Sequence, residues 1–76
     1  MASSPAELIE FIVKAIVTEP ESVAVREVEG GRVLELETAP EDRGRVIGRQ
    51  GRVAKAMRAV LGASRHGTHV RLEIVD

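Results

Sequence analysis

The sequence predicts an α+β fold of order α-β-β-α-α-β, a three-stranded sheet with three helices packed on one face. Three observations predict it. An apolar run of helical period opens on Ser4-Pro5-Ala6-Glu7. A cleanly alternating segment, Arg32 to Thr38, follows the glycine pair Gly30-Gly31. Two further helical stretches are joined by Gly48-Arg49-Gln50-Gly51 and lead to a last alternating segment, His69 to Val75.

Ser4 is placed to cap the first helix, Pro5 suits its first position and Glu7 completes a capping box. The helix runs to about Val17. Leu8, Ile9, Phe11, Ile12, Ala15 and Ile16 fall on one arc, opposite Glu10 and Lys14, and are expected to face the core. Thr18-Glu19-Pro20-Glu21-Ser22 ends it, because proline disfavours helical geometry in the residue before it. Val23, Val25 and Val28 favour a strand, but Glu27 interrupts the alternation, which reads as an edge or bulged strand. Gly30-Gly31 reads as a two-residue hairpin turn. In the next strand Leu34 and Leu36 point inward, while Val33, Glu35 and Glu37 point to a wet, acidic outer face.

Ala39-Pro40-Glu41-Asp42 is a loop, with Asp42 placed to cap a short helix over Arg43 to Ile47. The following helix starts at Gly51 or Arg52, runs to Leu61 and stops at Gly62. Val53, Ala56, Met57 and Val60 form its expected inward stripe, with Arg52, Lys55 and Arg58 turned away. Ala54 and Leu61 widen the apolar arc to about 160°, beyond the ~100° a surface helix needs, which leaves part of it for another protein. Ala63-Ser64-Arg65-His66-Gly67 is a basic loop, and Val70, Leu72 and Ile74 point inward from the last strand.

At 76 residues the chain is expected to be one domain, residues 1–76 with its core at about 5–75. A domain of this size buries only a little over ~60% of its unfolded surface. The absence of cysteine excludes a disulfide frame and a thiolate metal site, and fits a reducing compartment. No apolar run approaches the ~18 residues of a membrane span, and Met1-Ala2-Ser3-Ser4 lacks a basic leader segment, so the expected location is cytoplasmic, with no membrane partner.

A net charge of -1 conceals a segregation. Residues 1–42 hold ten acidic and three basic side chains, and residues 43–66 hold seven basic and no acidic ones. A basic stripe inside a near-neutral chain is the footprint expected for a polyanion. Within that stripe Gly48 and Gly51 lack Cβ atoms, so another backbone can approach the main-chain amides. Arg49 and Gln50 stand at the tip, and the helix that follows offers unpaired N–H groups and a partial positive charge. An anion suits that place. The spacing alone is common enough to be an ordinary turn. Its position between two helical stretches, behind Val46-Ile47 and among arginines, sets it apart.

Enzyme chemistry finds no support. Ser64 and His66 share a loop with no carboxylate to orient them, the glycine loop lacks the Gly-Lys-Ser/Thr ending of a P-loop, and His66 and His69 have no third metal ligand nearby. No cofactor, metal or small-molecule substrate is expected.

The stretch Gly44-Arg45-Val46-Ile47-Gly48-Arg49-Gln50-Gly51-Arg52-Val53-Ala54-Lys55-Ala56-Met57-Arg58 resembles the signature of a KH domain, and the element order is that of the type II, bacterial form. The likeness is closer still to the KhpA (YlqC-like) family of small single-domain bacterial proteins, and covers about Glu7 to the C-terminus. It implies single-stranded RNA binding, in which a GxxG loop clamps the backbone of about four nucleotides. Carried onto this chain, Gly48, Arg49, Gln50 and Gly51 would hold phosphates, above an apolar floor of Val46, Ile47 and Val53. Position and charge add Arg45, Arg52 and Lys55 as flanking contacts, and Arg65 and His66 as an opposite lip. Phe11 is the only aromatic residue and is assigned to the core, so base-stacking platforms are missing and affinity should be modest. The resemblance also implies self-pairing, or pairing with a KhpB-like KH protein, in RNA regulation that affects growth and shape. The competing reading is a ribosome-assembly or protein-interaction module in which RNA contact is secondary.

Overall fold

The computed structural model describes residues 4–64 and 69–75. The chain enters its first helix, α1 (Pro5–Ile16), through the expected capping box: Glu7 N–H donates to Ser4 Oγ at 3.1 Å and Ser4 N–H donates to Glu7 Oε1 at 3.3 Å. Lys14 and Glu10, one turn apart, pair at 2.6 Å on the wet side. The buried residues are Ile9 and Val13, with Ala6, Ile12 and Ile16 packed beside them. Phe11 is 72% exposed and Ala15 is exposed, which corrects their assignment to the core. Eight of the twelve residues in α1 are Ala, Val, Ile, Leu or Phe, so periodicity alone leaves the helix free to roll. Docking chose Ile9 and Val13, and Phe11, two residues from each, lies about 200° round the helix.

After a short turn at Pro20–Ser22, strands β1 (Ala24–Val28) and β2 (Val33–Glu37) pair antiparallel, from Ala24 opposite Glu37 to Val28 opposite Val33. The ladder has no extra residue, so β1 is an edge strand without a bulge. The connection is four residues, Glu29 to Arg32, rather than the two-residue turn expected. Glu29, Gly30 and Gly31 all take positive φ (53°, 69° and 87°), and Arg32 N–H closes the turn on Glu29 O at 3.3 Å. This length puts Val25, opposite Leu36, on the helix-covered face.

Leu34 and Leu36 are buried as expected, but so is Val33, flanked in register by Val28 on one side and Arg71 on the other. The outer face is mixed in charge rather than acidic, since Arg26 pairs with Glu35 at 2.8 Å and Arg71 with Glu73 at 3.3 Å. The last strand, β3 (Arg71–Ile74), lies parallel to β2, giving the order β1-β2-β3 with β2 central. A parallel pair needs a crossover. Here it is made of α2 (Arg43–Ile47) and α3 (Arg52–Ala63).

In α3 the buried residues are Ala54, Met57 and Leu61, with Val53 half-buried. Val60 is 41% exposed and Ala56 is exposed, so the inward stripe is rotated from the one expected. Gly62 lies inside the helix, which continues to Ala63. Ile9, Val13, Leu34, Leu36, Val46, Met57, Leu61 and Leu72 form the core. The architecture is the α-β-β-α-α-β sheet with helices on one face.

Candidate functional site

The crossover carries the glycine pair. From β2 the chain passes Pro40–Asp42, enters the five-residue α2, reverses at Gly48 to Gly51 and enters α3. Gly48 N–H donates to Gly44 O at 2.8 Å, ending α2, and Gly48 O accepts from Gly51 N–H at 3.0 Å. Gly48 has φ 80° and ψ 168°, and a Cβ there would stand 2.6 Å from Val53 Cγ2 and 2.8 Å from Val53 N. The start of α3 therefore closes directly against bare backbone. Gln50 (φ 57°) and Gly51 (φ 73°) are also left-handed, which throws the side chains of Arg49 and Gln50 outward, both exposed.

Beside this tip stand basic residues of α3. Arg52 Nη2 donates to Gln50 Oε1 at 3.3 Å, so Arg52 leans across the tip. The Lys55 stem passes beside Gly51, with its Cε 4.0 Å from where a Gly51 Cβ would sit. No side chain caps α3, whose N-cap is Gly51; the Arg52 amide donates to Arg49 O, and the helix dipole leaves partial positive charge at this end. Arg45 is exposed on α2, its Nε 3.8 Å from Asp42 Oδ1.

The expected floor is divided. Val46 is wholly buried in the core, whereas Ile47 is 38% exposed and Val53 half-buried against Gly48. Only the latter two present apolar surface, so Val46 supports the floor from beneath. Arg65 and His66, the expected opposite lip, lie outside the described residues.

Asp42 does not cap α2 with its side chain, contrary to expectation. Its carboxylate, 1% exposed, instead accepts from Thr18 N–H (3.0 Å), Thr18 Oγ1 (2.9 Å) and Glu19 N–H (3.1 Å). The bond from the Thr18 amide, joined by those from the Thr18 hydroxyl and Glu19 amide and by Arg45, holds the carboxyl below its ordinary range against the opposing effect of burial. Beside it, Glu41 shares a hydrogen bond with Glu19 and repels its charge, pushing Glu19 up. The crossover thus has an acidic end at 41–42 and a basic end at 49–55.

Arg58 was not among the expected contacts. Its Nη2 donates to Leu72 O at 3.1 Å on the open edge of β3, beside a shallow depression that Arg58, Val70, Arg71, Leu72 and Glu73 line. Its spacing of three from Lys55 and six from Arg52 was the available signal, a basic row along one helix face.

The family model described as KhpA/KhpB, KH domain, matches residues 6–74. RNA-binding protein KhpA of Clostridium perfringens is 53% identical over 60 residues, covering 76% of this chain and 80% of that protein. RNA-binding protein KhpA of Streptomyces coelicolor is 49% identical over 72 residues (92% and 90% covered). That of Treponema pallidum is 44% identical over 80 aligned positions, covering both chains completely. No solved structure matches the chain.

Proposed function

This chain belongs to the KhpA/KhpB family of KH-domain proteins, and on that premise we propose that it binds single-stranded RNA by clamping the phosphate backbone at Gly48-Arg49-Gln50-Gly51. The observation that carries the reading is the exposed, glycine-bent tip, with Arg49 at its apex, Arg52 and Lys55 over its flanks and no carboxylate among residues 43–64. Phosphates would meet the tip beside the start of α3, where the partial positive charge of the helix favours an anion. Arg45 adds charge from α2. Ile47 and Val53 offer the sugar and base faces an apolar strip. Nothing in this mechanism is catalytic: the clamp binds and orients a strand, as an RNA chaperone or post-transcriptional regulator would.

The test replaces Arg49 and Gln50 with aspartate. Both side chains are exposed, and aspartate tolerates the left-handed φ of Gln50 better than most residues, so the fold should survive. Binding to a mixed single-stranded RNA pool is expected to fall by at least about tenfold, a loss of ~1.4 kcal/mol or more. A folded double mutant that binds as the parent does would exclude the assigned site.

A protein partner, a second copy or a KhpB-like protein, belongs to the same reading. Phe11 and Val60 leave apolar surface in water on α1 and α3, and pairing two weak RNA sites adds avidity without new RNA contacts. We assign the protein to the cytoplasm; no helix among the described residues is long and apolar enough to cross a membrane.

A further inference from the structure

Asp42 stands immediately before α2, yet the three hydrogen bonds its carboxylate accepts all come from a turn more than twenty residues earlier in the chain. α2 is only five residues long, and within it Val46 alone is buried. Two attachments of the short helix matter here. One is the Val46 side chain in the core; the other is the Asp42 carboxylate, fastened to the Thr18–Glu19 turn that leaves α1. Gly48 lies at the opposite end, six residues on and about 9 Å away along the axis. A shift at the Asp42 end pivots α2 about Val46 and moves Gly48, its contact with Val53 and the Arg45 guanidinium together.

We infer that Asp42 is the positioning residue of the clamp: by tying the start of α2 to the exit of α1, its carboxylate fixes where Gly48 to Gly51 and Arg45 meet the strand. The effect on affinity rests on the RNA reading above. The effect on the position of the loop does not. Three donors converging on one carboxylate leave little freedom of placement, and hydrogen bonds to a charged group are the strong ones. Asparagine is a poor replacement. One of its two terminal atoms is itself a donor, so either Glu19 N–H or the two Thr18 donors would face an NH2 group.

The experiment compares D42N, T18V and T18S with the parent. Urea denaturation gives stability, amide NMR of the free protein reports Gly48 and Gly51 against the distant turn glycines Gly30 and Gly31, and titration with a short mixed-sequence single-stranded RNA gives affinity. All binding is measured well below each variant's unfolding midpoint, so that a merely less stable protein is still folded. T18S keeps the hydroxyl and should match the parent. T18V, which keeps the Thr18 amide bond, should weaken binding less than D42N, for which about a tenfold loss is expected. The Gly48 and Gly51 signals should move in the same order while Gly30 and Gly31 stay. A folded D42N with parental glycine signals would overturn the inference, as would weaker binding that merely tracks the unfolded fraction. Should D42N fail to fold, the same outcomes are read from T18V against T18S. If the glycine signals move but the parent binds no RNA, the RNA reading falls and the positioning role stands.

Discussion

At Gly48 a side chain meets two obstacles at once, a positive φ and the Val53 backbone 2.8 Å from any Cβ. Gly48→Ala is expected to lose about 2–4 kcal/mol in urea denaturation, because strain and overpacking add. Gly51 has the φ without the crowding, so Gly51→Ala should lose only about 1–2 kcal/mol. Gly44 is helical with open space around it, and Gly44→Ala should gain up to about 1 kcal/mol. A larger loss at Gly51 than at Gly48 would contradict the packing described for the tip. Two glycines three apart were legible in the sequence, but which of them the fold depends on was not, because that depends on a valine five residues downstream. Phe11 makes the same point in reverse. Hydrophobicity put it inside, whereas at 72% exposure Phe11→Ser should change stability by no more than about 0.5 kcal/mol, against a loss of about 2–5 kcal/mol for Ile9→Ala.

The short segments around α2 set a pH dependence. The Asp42 carboxyl is held below its ordinary 3.8, so the unfolded chain takes up that proton first. Its stabilisation is whole above 3.8 and is lost as pH falls through the lowered value. Glu19 has the opposite sign. Glu41 raises it above 4.5, the folded chain holds the proton longer, and stability falls as pH rises from 4.5 through the raised value. Both contributions are whole together between pH 3.8 and 4.5, and on their account urea midpoints are highest there. E41Q should flatten the decline above 4.5, and D42N the decline below 3.8. A profile unchanged by both substitutions would contradict the hydrogen bonds assigned to this corner. Sequence placed Asp42 correctly before α2 and gave it a local capping role, since spacing carries no information about a partner at Thr18. The helical faces failed for a related reason. In α3 alanines are apolar but too small to fix a face, so Met57 and Leu61, reaching the sheet, turned the helix and left Val60 in water. The Ser4–Glu7 box and the inward Leu34 and Leu36 were legible from their local signals, whereas the burial of Val33 was not.

For the molecule as a whole, charge is sorted along the chain. The crossover, α2 to α3, carries Arg43, Arg45, Arg49, Arg52, Lys55 and Arg58 and no acidic residue, while ten of the twelve acidic side chains lie in residues 1–42, most of them in the hairpin and the turns around it. Binding by three phosphate contacts should give a slope of roughly -2 in log affinity against log salt, at about -0.7 per phosphate on a single strand. Titrations at several salt concentrations measure it, and a slope near zero would remove the phosphates from the proposed contact. The element order was legible because each boundary is local; the parallel placement of β3 beside β2 was not, because no residue in either strand announces its neighbour.

That placement bears on how the protein comes into being. Until residues 71–74 arrive, the sheet has two of its three strands, backed by α1, and the helices of the crossover lack part of the platform they rest on. A chain cut after Val70 should therefore melt without a cooperative transition in calorimetry. Synthesis runs from the N-terminus, so residues 48–51 leave the ribosome well before the strand that completes the sheet. The loop proposed as the clamp is therefore made early and gains its full support late, once the third strand is in place.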